Sequence, residues 1–556
     1  MSDLWLRRAQ NAGLSRASIS RRRVLGGASA FGAGLAGLAI TGCGGDDDDD
    51  AATPTTAPGS TAQPTQASSN PSPESVPEEF VVAMEREPAD LMPFFGGFDQ
   101  AIAMRSIFET LVHVTMTDPT GTGLAEVRYD GVLAESWEQP DPTTWNFTLR
   151  DGASFHDGAP WNAEAAKANF DALLDTAALQ EISKVFYGGR YIAAVDAIDE
   201  MTLQVTTNAP LVEQEFFGFG FYLGFAAASP LVLAAGGFPA TGETPIGSGP
   251  YTFDAWRKGQ DITLLRNESY WGELPNMRKL KFIFRPEASV RAQTIKAGEA
   301  HLAYNIGSEQ ASALENSVVG AGFQSNSLRI NNTKAPTSDI RVRRAINYAI
   351  DRVGLNEAIF GGSATPIGFF AYQPVEVPIW PYDPQQAKTL IEQAGAEGQE
   401  VELMYGEGRI PEEDQLAEIF KAQIEAAGLK VKLTKVERGQ YNEISGGDFA
   451  QMPELLMETT SSGNYGEISG SLLDKYGCEG SGTFCDPAWD AEFVSLQTIS
   501  GDARLDKISD IANRLQEEET PRAWILAVNQ VHGLANNVAA DVPLNVYIKV
   551  GDLSFV

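Results

Sequence analysis

The order of charge and apolarity in residues 1–43 decides how much of this 556-residue chain folds, and in which compartment. Arg7, Arg8, Arg16 and Arg21 to Arg23 precede a Gly/Ala-rich apolar run that ends at Ile40-Thr41-Gly42-Cys43. Basic residues followed by a glycine-diluted apolar segment have the arrangement of an export signal rather than of a permanent membrane span. The bland alternative is an ordinary anchor helix with Cys43 as a buried small thiol. Residues 44–79 then bring Gly44-Gly45, the run Asp46 to Asp50 and a Thr/Ala/Pro/Ser/Gln tract. Such a composition cannot bury enough apolar area to offset the entropy of ordering, so it predicts a flexible, hydrated spacer rather than a metal site.

Two short motifs sharpen the leader. Ser20-Arg21-Arg22-Arg23-Val24-Leu25 resembles a twin-arginine export signal, and Ile40 to Cys43 resembles a bacterial lipobox. The resemblance implies that Cys43 is lipidated and becomes the first mature residue, which ties the folded body to the outer side of a membrane. Charge excludes one class of partner. The chain carries a formal charge of -33, and residues 1–42 hold six Arg against one Asp, so the mature part is near -38. That balance argues against nucleic acid, whose phosphates call for Lys and Arg. Of three cysteines, Cys478 and Cys485 remain, seven apart in a Gly/Ser-rich loop. An exported chain makes a loop-closing disulfide reasonable, and two sulfurs without a neighbouring His or further Cys make a poor zinc site.

Residues 80–556 are too many for one ordinary core, so two lobes are expected. Phe80 to Met84 predicts a strand, Ala101 to Val112 a helix, Trp145 to Arg150 a half-buried strand, and Ala163 to Leu174 a helix capped by Asn162. Ile198 to Thr206 alternates as a strand does, and Leu280 to Phe284 predicts another. Val342, Ala345, Ile346, Ala349 and Ile350 form a helical stripe that Ser338 or Asp339 can cap, with Asp351 placed to pair with neighbouring arginines. Val401 to Tyr405, a helix from Glu413 to Ala427 stopped at Gly428, and Val431 to Thr434 form a strand-helix-strand unit. Leu505, Ile508, Ala512 and Leu515 line a later helix.

Leu133 to Trp137, Phe147 to Phe170, the turn Pro245-Ile246-Gly247-Ser248-Gly249-Pro250-Tyr251, and Ser338 to Arg352 together resemble the family 5 extracytoplasmic solute-binding proteins. These are receptors of ABC importers for oligopeptides and dipeptides, with members for nickel, haem and some sugars. The resemblance implies an α/β fold of the type II periplasmic-binding-protein kind, two lobes with mixed sheets joined by two crossing segments. It places lobe I at 80–330, lobe II at 331–524 and a return segment completing lobe I at 525–556. It also implies a monomeric receptor that closes on a peptide or small solute and delivers it to a permease, with no cofactor. His156 falls in a surface turn, and the glycine cluster reads as a tight approach between strands, since no Gly-Lys-Ser/Thr ending makes it a phosphate loop.

Candidate ligand contacts are Phe94, Phe95, Tyr441, Glu458, Asn464 and Tyr465. Phe369, Phe370 and Tyr372 line either a cleft wall or a core. Peptide receptors of the family commonly carry an aspartate that receives the ligand ammonium, and no aspartate occurs between Asp448 and Asp474, which leaves Glu458 as the substitute. Receptors for a sugar, a nickel chelate or haem, and a non-transport sensor or chaperone, are the alternatives. A hydrolase is disfavoured: four His, no Gly-x-Ser-x-Gly and no His-Glu-x-x-His leave the usual machinery hard to assemble.

Overall fold

Strands of β-branched and apolar residues pair through their backbones, and two of them here are long enough to run from one hydrophobic core into another. In the computed structural model these are Ser317–Ile330 and Arg522–Leu534, paired antiparallel from Ser317 opposite Gly533 to Arg329 opposite Arg522. The structure describes residues 17–20, 78–88, 90–93, 98–117, 126–175, 191–220, 226–370, 375–406, 412–446, 451–460, 468–478, 485–540 and 553–555. Among the described residues no helix is long and apolar enough to cross a membrane.

The two long strands sit in the middle of one mixed sheet. On the second-lobe side lie Leu455–Thr460, then Glu400–Gly406 and Lys430–Val436; on the first-lobe side lie Leu302–Ala303, Glu79–Met84, Lys279–Phe284, Asp261–Arg266 and Tyr251–Arg257. Thr365–Pro366 pairs beside Leu526 and Ala527, and Ala17–Ser20 pairs with Val318 to Ala321. Parallel pairs such as Glu400–Gly406 with Lys430–Val436 need a crossover, which the helix Glu413–Ala426 supplies. A separate four-stranded antiparallel sheet, Ala134–Asp141, Thr144–Leu149, Thr202–Thr207 and Ile192–Ala197, packs into the first-lobe core.

Two cores result. Phe80, Phe108, Phe147, Phe217, Leu264 and Phe282 belong to the first, and Leu328, Ile346, Leu403, Phe420 and Leu455 to the second. A satellite cluster under the second lobe gathers Phe369, Phe370, Leu472, Tyr476, Phe493, Ile508 and Trp524 around the return strand. Phe369 and Phe370 are therefore core residues, and Tyr372 lies outside the described residues.

Several expectations are corrected in detail. The first helix spans Phe98–Ile107, because Val112–Thr117 is claimed by an antiparallel partner, Glu126–Gly131. Ile198 to Thr206 holds a turn: Asp199 Oδ1 accepts from the Met201 amide at 2.9 Å, Ile198 is exposed, and the strand begins at Thr202. The late helix, Gly501–Arg514, buries Arg504, Ile508, Ile511 and Ala512 while Leu505 faces solvent. Gly247 and Gly249 do make a close approach, but to a helix end: a Cβ would stand 2.1 Å from the Ile107 oxygen at Gly247 and 2.6 Å from the Ser106 oxygen at Gly249. Ser248 Oγ beside them donates to Glu109 at 2.9 Å, a carboxylate that also accepts from Tyr270 and Trp271.

Candidate functional site

The arginine-rich helix is a clamp on the crossing segments. Asp339 Oδ1 accepts from the Arg341 amide and caps Ile340–Ala349, while Asp351 caps Arg352–Phe360 through the Gly354 amide rather than pairing with a cation. Arg343 donates to the carbonyls of Glu519, Thr337 and Ser338, and Arg352 to those of Trp524 and Asn347. Both are buried, and burial brings the Arg352 guanidinium down to about 10. A guanidinium without a carboxylate is held here by the fork geometry that lets it satisfy several carbonyls at once. The sites it grips are the entry of the return strand and the turn after the first crossing strand.

Where the strands pass between the cores, their register slips twice, between Gly320 and Gln324 and between Asn326 and Ser327. Bulges of this kind bend and twist a strand pair locally. The same stretch turns polar: Ser325, Asn326, Ser327 and Thr459 are buried among apolar neighbours, and Asn326 Nδ2 donates to Thr459 Oγ1 at 3.4 Å.

Below this patch lies a charged cluster that alternation alone explains. Ser327 faces Glu458 on one side and Trp524 on the other, and Arg329 faces Arg522, so these side chains share one face of the sheet. Glu458 accepts from Arg522 Nη1 and stands 3.5 Å from Lys475 Nζ. Burial pushes its carboxyl up, but Lys475, Arg522 and Arg329 together hold it well below the usual range. Arg522 lies over the rings of Trp524 and Tyr476, centroids 5.0 and 5.8 Å away, which gives its otherwise unbonded Nε and Nη2 a π-face. Arg329 Nη1 donates to the Ser445 carbonyl at 2.7 Å.

Two of the six predicted ligand contacts lie in the described structure. Tyr441 is fully buried against Gly406, where a Cβ would meet its ring at 2.6 Å, and its hydroxyl donates to the Met457 carbonyl at 2.9 Å. Glu458 is 6 % exposed and neutralised by its ion pairs. In this conformation neither is open to a ligand: Tyr441 serves packing and Glu458 its ion pairs. Phe94, Phe95, Asn464 and Tyr465 lie outside the described residues, as do Cys43 and residues 44–77. Cys478 and Cys485 are joined, with Cα atoms 4.4 Å apart. His156 Nε2 bonds the Gly249 carbonyl at 2.9 Å, and His301 Nδ1 accepts from the Val81 amide at 3.0 Å while stacking on Phe80, so both histidines serve packing. Among the described residues no cluster of His, Cys, Asp or Glu is placed to hold a metal ion. Arg329 and Arg522 escaped the sequence reading. Their signal was available: each is a lone arginine abutting a strongly apolar strand segment.

Two separately packed α/β lobes on a mixed sheet, joined by two crossing strands, define a type II periplasmic-binding-protein architecture. The model of the bacterial extracellular solute-binding proteins, family 5, matches residues 128–458, and the chain belongs to that family, a class of non-catalytic receptors. The glutathione-binding protein GsiB of Escherichia coli (strain K12) is 29% identical over 405 residues, covering 68% of this chain and 77% of that protein. In fold, the chain is similar to the ABC transporter substrate-binding protein CtaP of Listeria monocytogenes, with TM-score 0.75, 18% identity, and coverage of 86% of this chain and 99% of that one. NikA from Brucella suis, solved in complex with Fe(III)-EDTA, gives TM-score 0.72 at 22% identity over 86% of this chain and 100% of that one. The protein is an extracytoplasmic receptor that binds peptide-like or small-molecule ligands for an ABC importer.

Proposed function

We propose that the chain is a lipid-anchored receptor whose lobes, 80–330 with 525–556 and 331–524, close on a short peptide or peptide-like solute and present it to an importer permease. The observation that carries the closing motion is the pair of crossing strands, which holds two independent cores together and slips register twice between them. Bending at a few backbone torsions there leaves both cores intact. Ligand shifts such an equilibrium only through contacts that the closed state makes better than the open one. Peptide-like cargo is favoured by the glutathione-binding relatives. A metal chelate is the second reading, favoured because Glu458, the substitute for the ammonium-receiving aspartate, is already consumed by Arg522 and Lys475, and because the Brucella protein holds Fe(III)-EDTA.

Native mass spectrometry of the protein purified without refolding, followed by release of whatever it retains, tests the cargo class. Recovery of short peptides or thiol peptides is expected. Recovery of sugars or chelates with no peptide would overturn the assignment.

A further inference from the structure

We propose that Glu215, Ser469 and Arg504 form a clasp that locks the two lobes in the closed arrangement. Glu215 lies on the helix Glu213–Gly220, whose Phe216 stacks on Trp145 and whose Phe217 meets the same ring edge-on in the first-lobe core. Its carboxylate accepts from Arg504 Nη2 with one oxygen and from Ser469 Oγ with the other. Ser469 and Arg504 stand on the helices Ser469–Tyr476 and Gly501–Arg514, which pack around Trp524 in the second lobe. All three are sealed from water, at 1 %, 0 % and 3 % exposure in the order named, and Arg504 Nη1 is anchored to the Leu496 carbonyl. Two further bonds flank the ion pair: the Val212 amide donates to the Gln497 carbonyl at 2.8 Å, and Gln497 Nε2 donates to the Tyr191 hydroxyl at 2.9 Å.

These contacts join the lobes without passing through the crossing strands. A rotation about those strands that opens the cleft must therefore separate Glu215 from Arg504 and return both to water. The sign of a substitution follows. Removing one partner leaves the other buried without its counter-charge only when the lobes are shut, because in the open state it is hydrated. Each single substitution is thus expected to favour the open state, and by more than it changes the stability of either lobe. The clasp rests on the lobe-closure reading and adds to it a closing contact that needs no cargo. By reciprocity, whatever it contributes to closure reappears as tighter retention of ligand.

The test places spin labels at Leu231→Cys and Val353→Cys, exposed positions on the helices Pro230–Thr241 of the first lobe and Arg352–Phe360 of the second. The background is the full mature chain carrying Cys43→Ser with Cys478–Cys485 oxidised, and the readout is the interlabel distance distribution. Glu215→Gln and Arg504→Gln are each expected to move the closed-to-open ratio toward open by about tenfold or more. Should Arg504→Gln fail to fold, Ser469→Ala removes one bond, strands no charge, and is expected to shift the ratio in the same direction by less. Two distances in unchanged proportion across the parent and all variants would overturn the clasp and leave the hinge standing. One distance that moves in no variant would overturn the clasp and the hinge together.

Discussion

Glu458 shows how far a residue's surroundings can change its role. A carboxylate in a strand of an acidic protein is one of many, but on this face of the sheet it meets Arg522, Lys475 and Arg329. Its burial costs solvation, which only the surrounding cations return. Glu458→Gln is expected to destabilise the fold by about 3–5 kcal/mol, the scale for breaking a buried pair, measured by denaturant unfolding. The pH dependence has a definite sign. Because the folded carboxyl titrates below its unfolded value of about 4.3, its contribution is complete above that pH and is lost as pH falls through the folded value. The stability gap between the parent and Glu458→Gln should therefore hold constant from neutrality down to about pH 5 and narrow below about pH 4. A gap that widens on acidification would mean that Glu458 is protonated in the folded state.

At the scale of elements, glycines fall into two kinds, those whose missing Cβ a neighbouring backbone requires and those with open space around it. Gly247 sits where the chain meets the end of Phe98–Ile107, and any side chain there would strike the Ile107 carbonyl, a backbone atom with nowhere to go. Gly247→Ala is expected to cost about 1–3 kcal/mol, the range for overpacking, read as a lowered midpoint in thermal or urea unfolding. Gly439, inside the helix Arg438–Ser445, has nothing within 4 Å of its added Cβ. Gly439→Ala should stabilise by about 0.4–1 kcal/mol, since alanine loses less chain entropy in a helix. The caps behaved as their residue types dictate. Asn162, Asp339 and Asp383 each accept from an amide two or three residues on, and local sequence suffices for that because the bond is local. The Gly501–Arg514 helix was less legible, because its buried face includes Arg504, whose partner lies 289 residues away.

For the whole molecule, the leader and the body make separate claims. We infer attachment through Cys43 from the Ile40–Cys43 motif and the spacer that follows it. Cys43→Ser is expected to move the protein from the membrane to the soluble fraction on cell fractionation; full retention of that variant on membranes would count against lipid attachment. Replacing Arg21 and Arg22 by Lys is expected to block export, and unchanged secretion would argue against the twin-arginine route. The disulfide belongs to this scale too, since only export makes its oxidation lasting. Cys478 and Cys485 should resist alkylation of the native protein until a reductant is added.

What could be derived from residue order alone is everything that depends on neighbours in the chain. That covers the strand-helix-strand unit from Val401 to Thr434, helix bounds such as those of Ala163–Asp175 and Glu413–Ala426, and a family resemblance spread over both lobes, and it is the whole basis of the expected leader and spacer. The pairing of distant groups was settled only by folding. Glu458 with Arg522, Glu215 with Arg504 and Gly247 with Ile107 are separated by 64, 289 and 140 residues. No periodicity reports such distances, because strand register and lobe packing, rather than local preference, decide which buried charge or carbonyl a side chain will meet.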